Sequence, residues 1–359
     1  MNETTKRKER TCALLTEHFR AYPALQSEDV FKFLFQSSYG CEHLVSDEEA
    51  ALHYVKREYA SLSKTEPPRI DPLDGAYSRV YLSFLNVGLK PETLTKLFCR
   101  SAKKEVDGGI LLEEKIQVAR ELVLNGELPP ERETFEAKLN AWRAEGCPAI
   151  HHSDVFRAEY RPAYRVIANR YVDWLPLFTE IDRRLAQDSV VVAVEGGSAS
   201  GKTTLASMLQ EIYDCNVLPM DDFFLRPEQR TPERLAEVGG NLDRERFAKE
   251  VLISLQGNAP ITYRRFDCSV GELSDPITVT PKRLTIVEGV YAMHPAFGKY
   301  YDLSVFLEID PECQRKRIVA RNTSPLADRF LNEWIPMEDR YFAETKLRER
   351  CDLTVRVGQ

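Results

Sequence analysis

Apolar residues follow two different rhythms along this chain, and the change falls near residue 188. In the first stretch they recur every three or four positions. Examples are Cys12-Ala13-Leu14-Leu15…Phe19, Val30…Phe33-Leu34 and Leu111-Leu112…Ile116…Ala119…Leu122-Val123. That spacing gathers them on one face of a helix. The breaks carry Pro67-Pro68, Asp71-Pro72, Gly108-Gly109, Pro129-Pro130 and Gly146-Cys147-Pro148, residue types that end helices and make turns. Pro91-Glu92 reads as a first helical turn. A long helix is predicted over Pro162 to Leu185, interrupted at Pro176. Residues 1–187 are therefore expected to form an all-helical domain.

From Ser189 short continuous apolar runs alternate with helical stretches. Strands are predicted at Val190–Val194, Val217–Met220, Thr285–Val287, Leu303–Ile309 and Leu353–Val357. Helices are predicted at Lys202–Tyr213, Arg244–Leu255, Pro311–Ala320 and Asp328–Glu349. Such alternation implies an α/β domain over residues 188–359, a parallel sheet with helices on both faces. The boundary is expected near Ala186–Ser189.

The first predicted strand runs into Gly196-Gly197-Ser198-Ala199-Ser200-Gly201-Lys202-Thr203-Thr204. This is G-x-x-x-x-G-K-[ST] between a buried strand and a helix. Glycines let the loop fold so that successive N–H groups point at one spot, and the helix N-terminus adds positive potential there. Phosphate oxygens fit that spot. Lys202 would reach the β/γ-phosphates of ATP, and the Thr203 hydroxyl would sit on Mg²⁺.

Composition narrows the partners. A net charge of −7 argues against nucleic acid and for a small-molecule enzyme. No apolar stretch approaches the ~18 residues of a membrane span, and Met1 to Arg10 lacks a signal peptide's apolar core. The eight cysteines are scattered without a C-x-x-C pair, so a cytoplasmic protein with reduced thiols is expected. A homo-oligomer is compatible with the sequence, which does not specify one.

Three further segments carry candidate acids, two at strand ends and one ahead of a predicted helix, and an arginine pair follows. Leu218-Pro219-Met220-Asp221-Asp222-Phe223-Phe224 puts two carboxylates at the carboxyl edge of the sheet, where ligands bind in such folds. One could take the proton of a substrate hydroxyl or hold Mg²⁺; a helix cap or solvated turn is the other reading. Asp243, in Gly239-Gly240-Asn241-Leu242-Asp243, is either a ligand contact or a helix N-cap. Glu288 ends the run Thr285-Ile286-Val287 and could complete a Mg²⁺ shell, or it is a plain turn residue. Arg317 and Arg321 are four apart on one helical face, suited to phosphate charge or to a solvated basic face.

Taken together, these residues resemble the uridine kinase-like family of P-loop small-molecule kinases over about Val190 to Val357. The loop 196–204 is close to the family's loop. Asp221-Asp222-Phe223-Phe224 is similar to its Asp-x-Phe-Tyr segment, and the Asp-Asp-Phe-Phe form is especially like nicotinamide riboside kinases. The resemblance implies a catalytic carboxylate at Asp221, ribose binding at Asp243, magnesium binding at Glu288 and base stacking at Tyr263. It places Arg317 and Arg321 on phosphates ahead of a lid at about Asn322 to Arg329, with Glu338 and Tyr341-Phe342 on the helix behind it. Two departures concern the acceptor. Cys268 stands where uridine kinases carry a pyrimidine-reading His, and the lid is short with the single arginine Arg329. The expected reaction is phosphorylation by ATP·Mg²⁺ of a primary hydroxyl on a nucleoside-like or other small substrate, with Asp221 as base. Lys202, Arg317 and Arg321 would neutralise charge. Alternatives are a nucleotide-sensing regulator, in which the helical half binds a partner, and a bifunctional enzyme.

Two polar clusters mark the first half: Gln36-Ser37-Ser38-Tyr39-Gly40-Cys41-Glu42-His43, and His151-His152-Ser153-Asp154 with Tyr160-Arg161-Pro162 and Tyr164-Arg165. Three readings apply. A metal site would use Glu42, His43 and His151 or His152. An anion site would use Arg161 and Arg165. Helix caps and packing histidines are the third.

Overall fold

The computed structural model describes residues 3–41, 47–102 and 108–358. Contacts divide the chain into two compact units, Met1–Arg183 and Arg184–Gln359. No described helix is long and apolar enough to cross a membrane.

The first unit corrects the all-helical expectation. It contains α1 (Glu3–Ala21), α2 (Ser27–Tyr39), α3 (Glu48–Ala60), α4 (Pro91–Ser101), α5 (Gly108–Leu124), α6 (Arg132–Ala144) and α7 (Asp154–Tyr160). It also holds an antiparallel sheet of β1 (Ile70–Asp74), β2 (Tyr77–Tyr81) and β3 (Tyr164–Ala168), with β2 in the middle. The predicted helix over 162–185 is in fact β3, a short helix α8 (Asn169–Val172) and α9 (Leu175–Leu185). Tyr-Arg-Val-Ile at 164–167 favours an extended chain, and pairing with β2 over Tyr81↔Tyr164 to Tyr77↔Ala168 fixes it. Pro176 falls in the first turn of α9, where proline is tolerated, rather than breaking a helix. Asp71-Pro72 lies inside β1, an edge strand with an irregularity between Pro72 and Asp74, as suits a proline within a sheet. Pro91 opens α4 as expected.

The second unit carries a five-stranded sheet in the order β12-β11-β4-β10-β5, all neighbours parallel. Its strands are β4 (Val190–Gly196), β5 (Cys215–Pro219), β10 (Leu284–Glu288), β11 (Leu303–Ile309) and β12 (Leu353–Val357). Small pairs β6 (Ile261–Tyr263) with β9 (Ile277–Val279), and β7 (Phe266–Asp267) with β8 (Glu272–Leu273), were not apparent in the pattern. β4 and β10 are buried almost throughout, which is why they read as unbroken apolar runs.

The principal helices of this unit include α10 (Lys202–Ile212), α11 (Pro232–Leu235) and α12 (Arg244–Phe247), which continues through a π-helical segment into α13 (Ile253–Gln256). After β11 come α14 (Pro311–Arg321), α15 (Ser324–Arg329), a π-helical segment Phe330–Trp334, α16 (Ile335–Thr345) and α17 (Leu347–Arg350). The last predicted helix therefore starts earlier, and it ends where Lys346 turns left-handed at φ 49°. One core of aliphatic and aromatic side chains, including Leu218, Phe223, Phe247, Tyr263, Val287 and Tyr341, fills one face of the sheet.

Candidate active site

The end of β4 and the start of α10 form a bare, tightly turned loop. Gly196 has φ 145° and Gly201 φ 99°, both in the region that favours glycine. A Cβ at Gly196 would lie 2.6 Å from the Leu307 carbonyl oxygen. Ala199 also has positive φ, 62°, a strain of about 1 kcal/mol or more held by its surroundings. Those surroundings come from α14 and α16. Gln314 Nε2 donates to Ser198 O at 2.9 Å, and Arg317 Nη1 donates to Ala199 O at 3.1 Å. Glu338 accepts from Ser198 N at 2.9 Å and from the Ser198 hydroxyl. Burial raises the Glu338 carboxyl, partly offset by Ser198 and Lys202.

Parallel register aligns the acids with this loop. Glu288, the last residue of β10, is level with Val194 of β4 and Pro219 of β5. Asp221 therefore stands just past the same edge, in the turn Met220–Phe223. Thr203 Oγ1 donates to Glu288 Oε1 at 3.0 Å. The Glu288 carboxyl is raised by burial, lowered by Lys202 and Thr203, and raised again by Asp221 and Asp222. Two like charges and one ammonium thus act on a single buried carboxylate. Lys202 Nζ donates to Gly196 O at 2.8 Å and Gly197 O at 3.0 Å. Asp221 is exposed. Lys202, Thr203, Glu288 and Asp221 are thus brought together, and Arg317 touches the loop.

Other sequence-predicted residues are placed differently. Asp243 is the N-cap of α12: Oδ1 accepts from Arg246 N at 3.1 Å, and Oδ2 accepts from Gln229 Nε2 at 3.1 Å. Tyr263 is a core residue, its ring 5.3 Å from that of Phe223 and its hydroxyl donating to Asp222 Oδ2 at 3.1 Å. Arg321 packs over Phe330, and Arg329 pairs with Glu333 and packs over Trp334; no contact joins either to the loop. Thr204 is exposed in the first turn of α10.

Sequence reasoning missed Glu195, Gln314 and the contact made by Glu338. Glu195 is fully buried beneath the loop. Its Oε1 accepts from Met293 N at 2.7 Å and from the Tyr341 hydroxyl at 2.9 Å, while Oε2 has no partner among the described residues. Burial pushes this carboxyl up to about 7. A charged residue inside an otherwise apolar strand was the available signal. Beside the loop lies a cavity of about 350 Å³ lined by Gly197, Ile309, Gln314, Arg315, Ile335 and Phe342 among others. It includes none of Thr203, Asp221 or Glu288, so it is not where those groups meet.

In the first unit, Glu42 and His43 lie outside the described residues. Among the described residues, no group of three or more His, Cys, Asp or Glu is arranged to hold a metal ion. Arg161 and Arg165 do not form an anion site: Arg161 is an exposed helix end, whereas Arg165 is buried and donates to Glu58 Oε2 at 2.8 Å. Ser153 does cap α7, and His152 stacks on Phe156 at 4.2 Å.

No protein-family model matches the chain. It is similar to a uridine kinase of Chlamydia pneumoniae, 25% identical over 182 residues, which covers 46% of this chain and 81% of that protein. A uridine kinase of Oceanobacillus iheyensis is 31% identical over 147 residues, covering 38% of this chain and 69% of that protein. The solved structure of a possible uridine kinase from Bacillus stearothermophilus aligns at 20% identity with a TM-score of 0.38, covering 50% of this chain and 99% of that one.

Proposed function

Through a region of about half its length the chain belongs to the uridine kinase-like family of P-loop kinases, and from that premise we propose that its second unit transfers the terminal phosphoryl group of ATP to a primary hydroxyl of a small, nucleoside-like molecule. The observation that supports this most is the convergence of Lys202, Thr203, Glu288 and Asp221 at one sheet edge. A regulator that only senses nucleotide has no use for an exposed carboxylate beside the loop.

The residues present suit a triphosphate and Mg²⁺. Gly196 lets β11 pack directly on the loop, and at Gly201 a Cβ would meet nothing within 4 Å, which leaves the start of α10 open to phosphate oxygens. Thr203 Oγ1 and Glu288 are oxygen donors, the kind a hard cation takes. Mg²⁺ commonly keeps water and phosphate oxygens instead of a protein cage, so a sparse donor set is in keeping with it. When bound, Mg²⁺ would neutralise charge on the phosphate oxygens.

The chain's own groups then divide the work. Lys202 leaves the loop carbonyls and turns its ammonium to the phosphates. Asp221 Oδ orients the acceptor hydroxyl and takes its proton. Arg317 already lies on the loop, and Arg321, one turn on, joins it as the segment over 322–329 closes and excludes water. Asp243 can hold acceptor hydroxyls only if the Gln229 amide yields Oδ2. Tyr263 serves by holding Asp222 from the core.

ADP release across a panel of nucleosides and sugars tests the reading. We expect acceptor-dependent release from at least one nucleoside, with Lys202→Ala lowering it at least about 100-fold, the scale of losing one preorganised charge contact. Release that no acceptor stimulates, in protein that binds ATP, would contradict the proposal.

A further inference from the structure

The two polar clusters of the first unit meet in space. One face of the sheet presents Arg79 of β2, with Asp71 of β1 and Val166 of β3 directly opposite. Against it stand His18 of α1 and Gln36 of α2. Arg79 is fully buried. Its Nε donates to Gln36 Oε1 at 2.9 Å, its Nη1 lies 3.1 Å from His18 Nε2, and its Nη2 is buried without a partner among the described residues. Arginine can only donate, so His18 accepts and is neutral; burial and then Arg79 hold its pKa well below the usual value.

The nearby acids are already engaged. Asp71 accepts from Arg69, Tyr22 and Tyr81. Asp29 accepts from Ser153 N, Ser153 Oγ, Gln26 N and His152 Nδ1. The hydroxyl of Tyr164 lies 2.7 Å from the other nitrogen of that ring, and the ring of Tyr164 is 4.9 Å from the Arg79 guanidinium carbon. Lys32, half-buried on α2, donates to the Ile150 carbonyl at 2.8 Å, its one hydrogen-bond partner among the described residues. Burial and then the charge of Arg79 bring its ammonium down to about 8. Among the described residues, Asp71 pairs with Arg69, and Asp29 acts on Lys32 beside the two cations Arg79 and Arg157, so positive charge is in excess around Lys32. A buried cation with a free donor and no counter-charge is costly unless something supplies the anion.

We infer that this sheet face of the first unit is a ligand site of its own, in which the free arm of Arg79 and the ammonium of Lys32 bind the carboxylate of a small organic acid. An arginine arm and an ammonium are charge-assisted donors suited to the two oxygens of one carboxylate. Tyr164 and Lys32 are the partly exposed members and form its outer side.

Thermal unfolding and calorimetric titration of the full chain test this, with acetate, lactate and benzoate as probes. Sodium chloride at equal ionic strength is the blank, and inorganic phosphate is the competing class. The expected result is saturable one-to-one binding of at least one carboxylate, with a Tm rise above the chloride blank. Lys32→Gln and Arg79→Gln should each weaken it at least about tenfold, the loss of one charge-assisted contact. Arg79→Gln removes a buried side chain and can fail to fold; the half-exposed Lys32 then decides. The inference is overturned if no carboxylate exceeds chloride, if Lys32→Gln binds as tightly as the parent, or if phosphate saturates while carboxylates do not.

Discussion

Asp221 and Glu288 end neighbouring strands, yet the protein gives them opposite settings. Glu288 is buried and tied to Thr203, whereas Asp221 is exposed and free to meet a hydroxyl. Glu195 is a third case. It is a buried carboxyl with one oxygen unpartnered, raised from 4.5 to about 7. A raised folded-state pKa means that the folded protein holds this proton more tightly than the unfolded chain does. The contribution to stability is therefore full below about pH 4.5 and is lost as pH rises to about 7. The shift corresponds to about 3 kcal/mol. Glu195→Gln should flatten this part of the profile. Denaturant midpoints for both proteins between about pH 4.5 and 8 check it, and parallel curves would remove Glu195 as the source.

At the scale of elements, the loop depends on its neighbours as much as on its own glycines. Strand β11 approaches Gly196 so closely that a methyl group there would meet backbone at 2.6 Å. Gly196→Ala should cost at least about 2 kcal/mol in urea unfolding, through strain at positive φ and forced movement of β11. A loss under about 0.5 kcal/mol, the range of neutral surface changes, would mean that the loop is not held as described. The elements around it were legible because β4, β5, β10 and β11 are short, largely apolar runs that end in or lead into Gly, Glu or Asp. Strands β1 to β3 were not. Tyr-Ser-Arg-Val-Tyr at 77–81 has an arginine at its centre, and only tertiary pairing shows that Arg79 is buried. Tyr164–Ala168 was absorbed into a helix because Val166-Ile167-Ala168 fits either period. Asp243 and Tyr263 had the right spacing, but spacing does not say whether a side chain faces a cleft or the core.

At the scale of the molecule, each unit has its own buried interior, and every residue assigned to phosphate or acceptor lies after Arg184. Residues 184–359 alone should therefore bind a non-hydrolysable ATP analogue within about threefold of the full chain's Kd, by calorimetry on material shown to be folded by circular dichroism. A folded fragment binding more than about tenfold weaker would tie the first unit to the nucleotide site. The carboxylate site inferred around Arg79 belongs wholly to the first unit and is tested independently of the kinase reading.

The proposed reaction turns on Asp221 taking the proton of the acceptor hydroxyl. Single-turnover phosphoryl transfer by Asp221→Asn, with nucleotide affinity measured alongside, addresses it most directly. The expected rate is lower by about 10²–10⁴, the usual worth of general-base catalysis, with ATP binding little changed. A rate within about tenfold of the parent would contradict it.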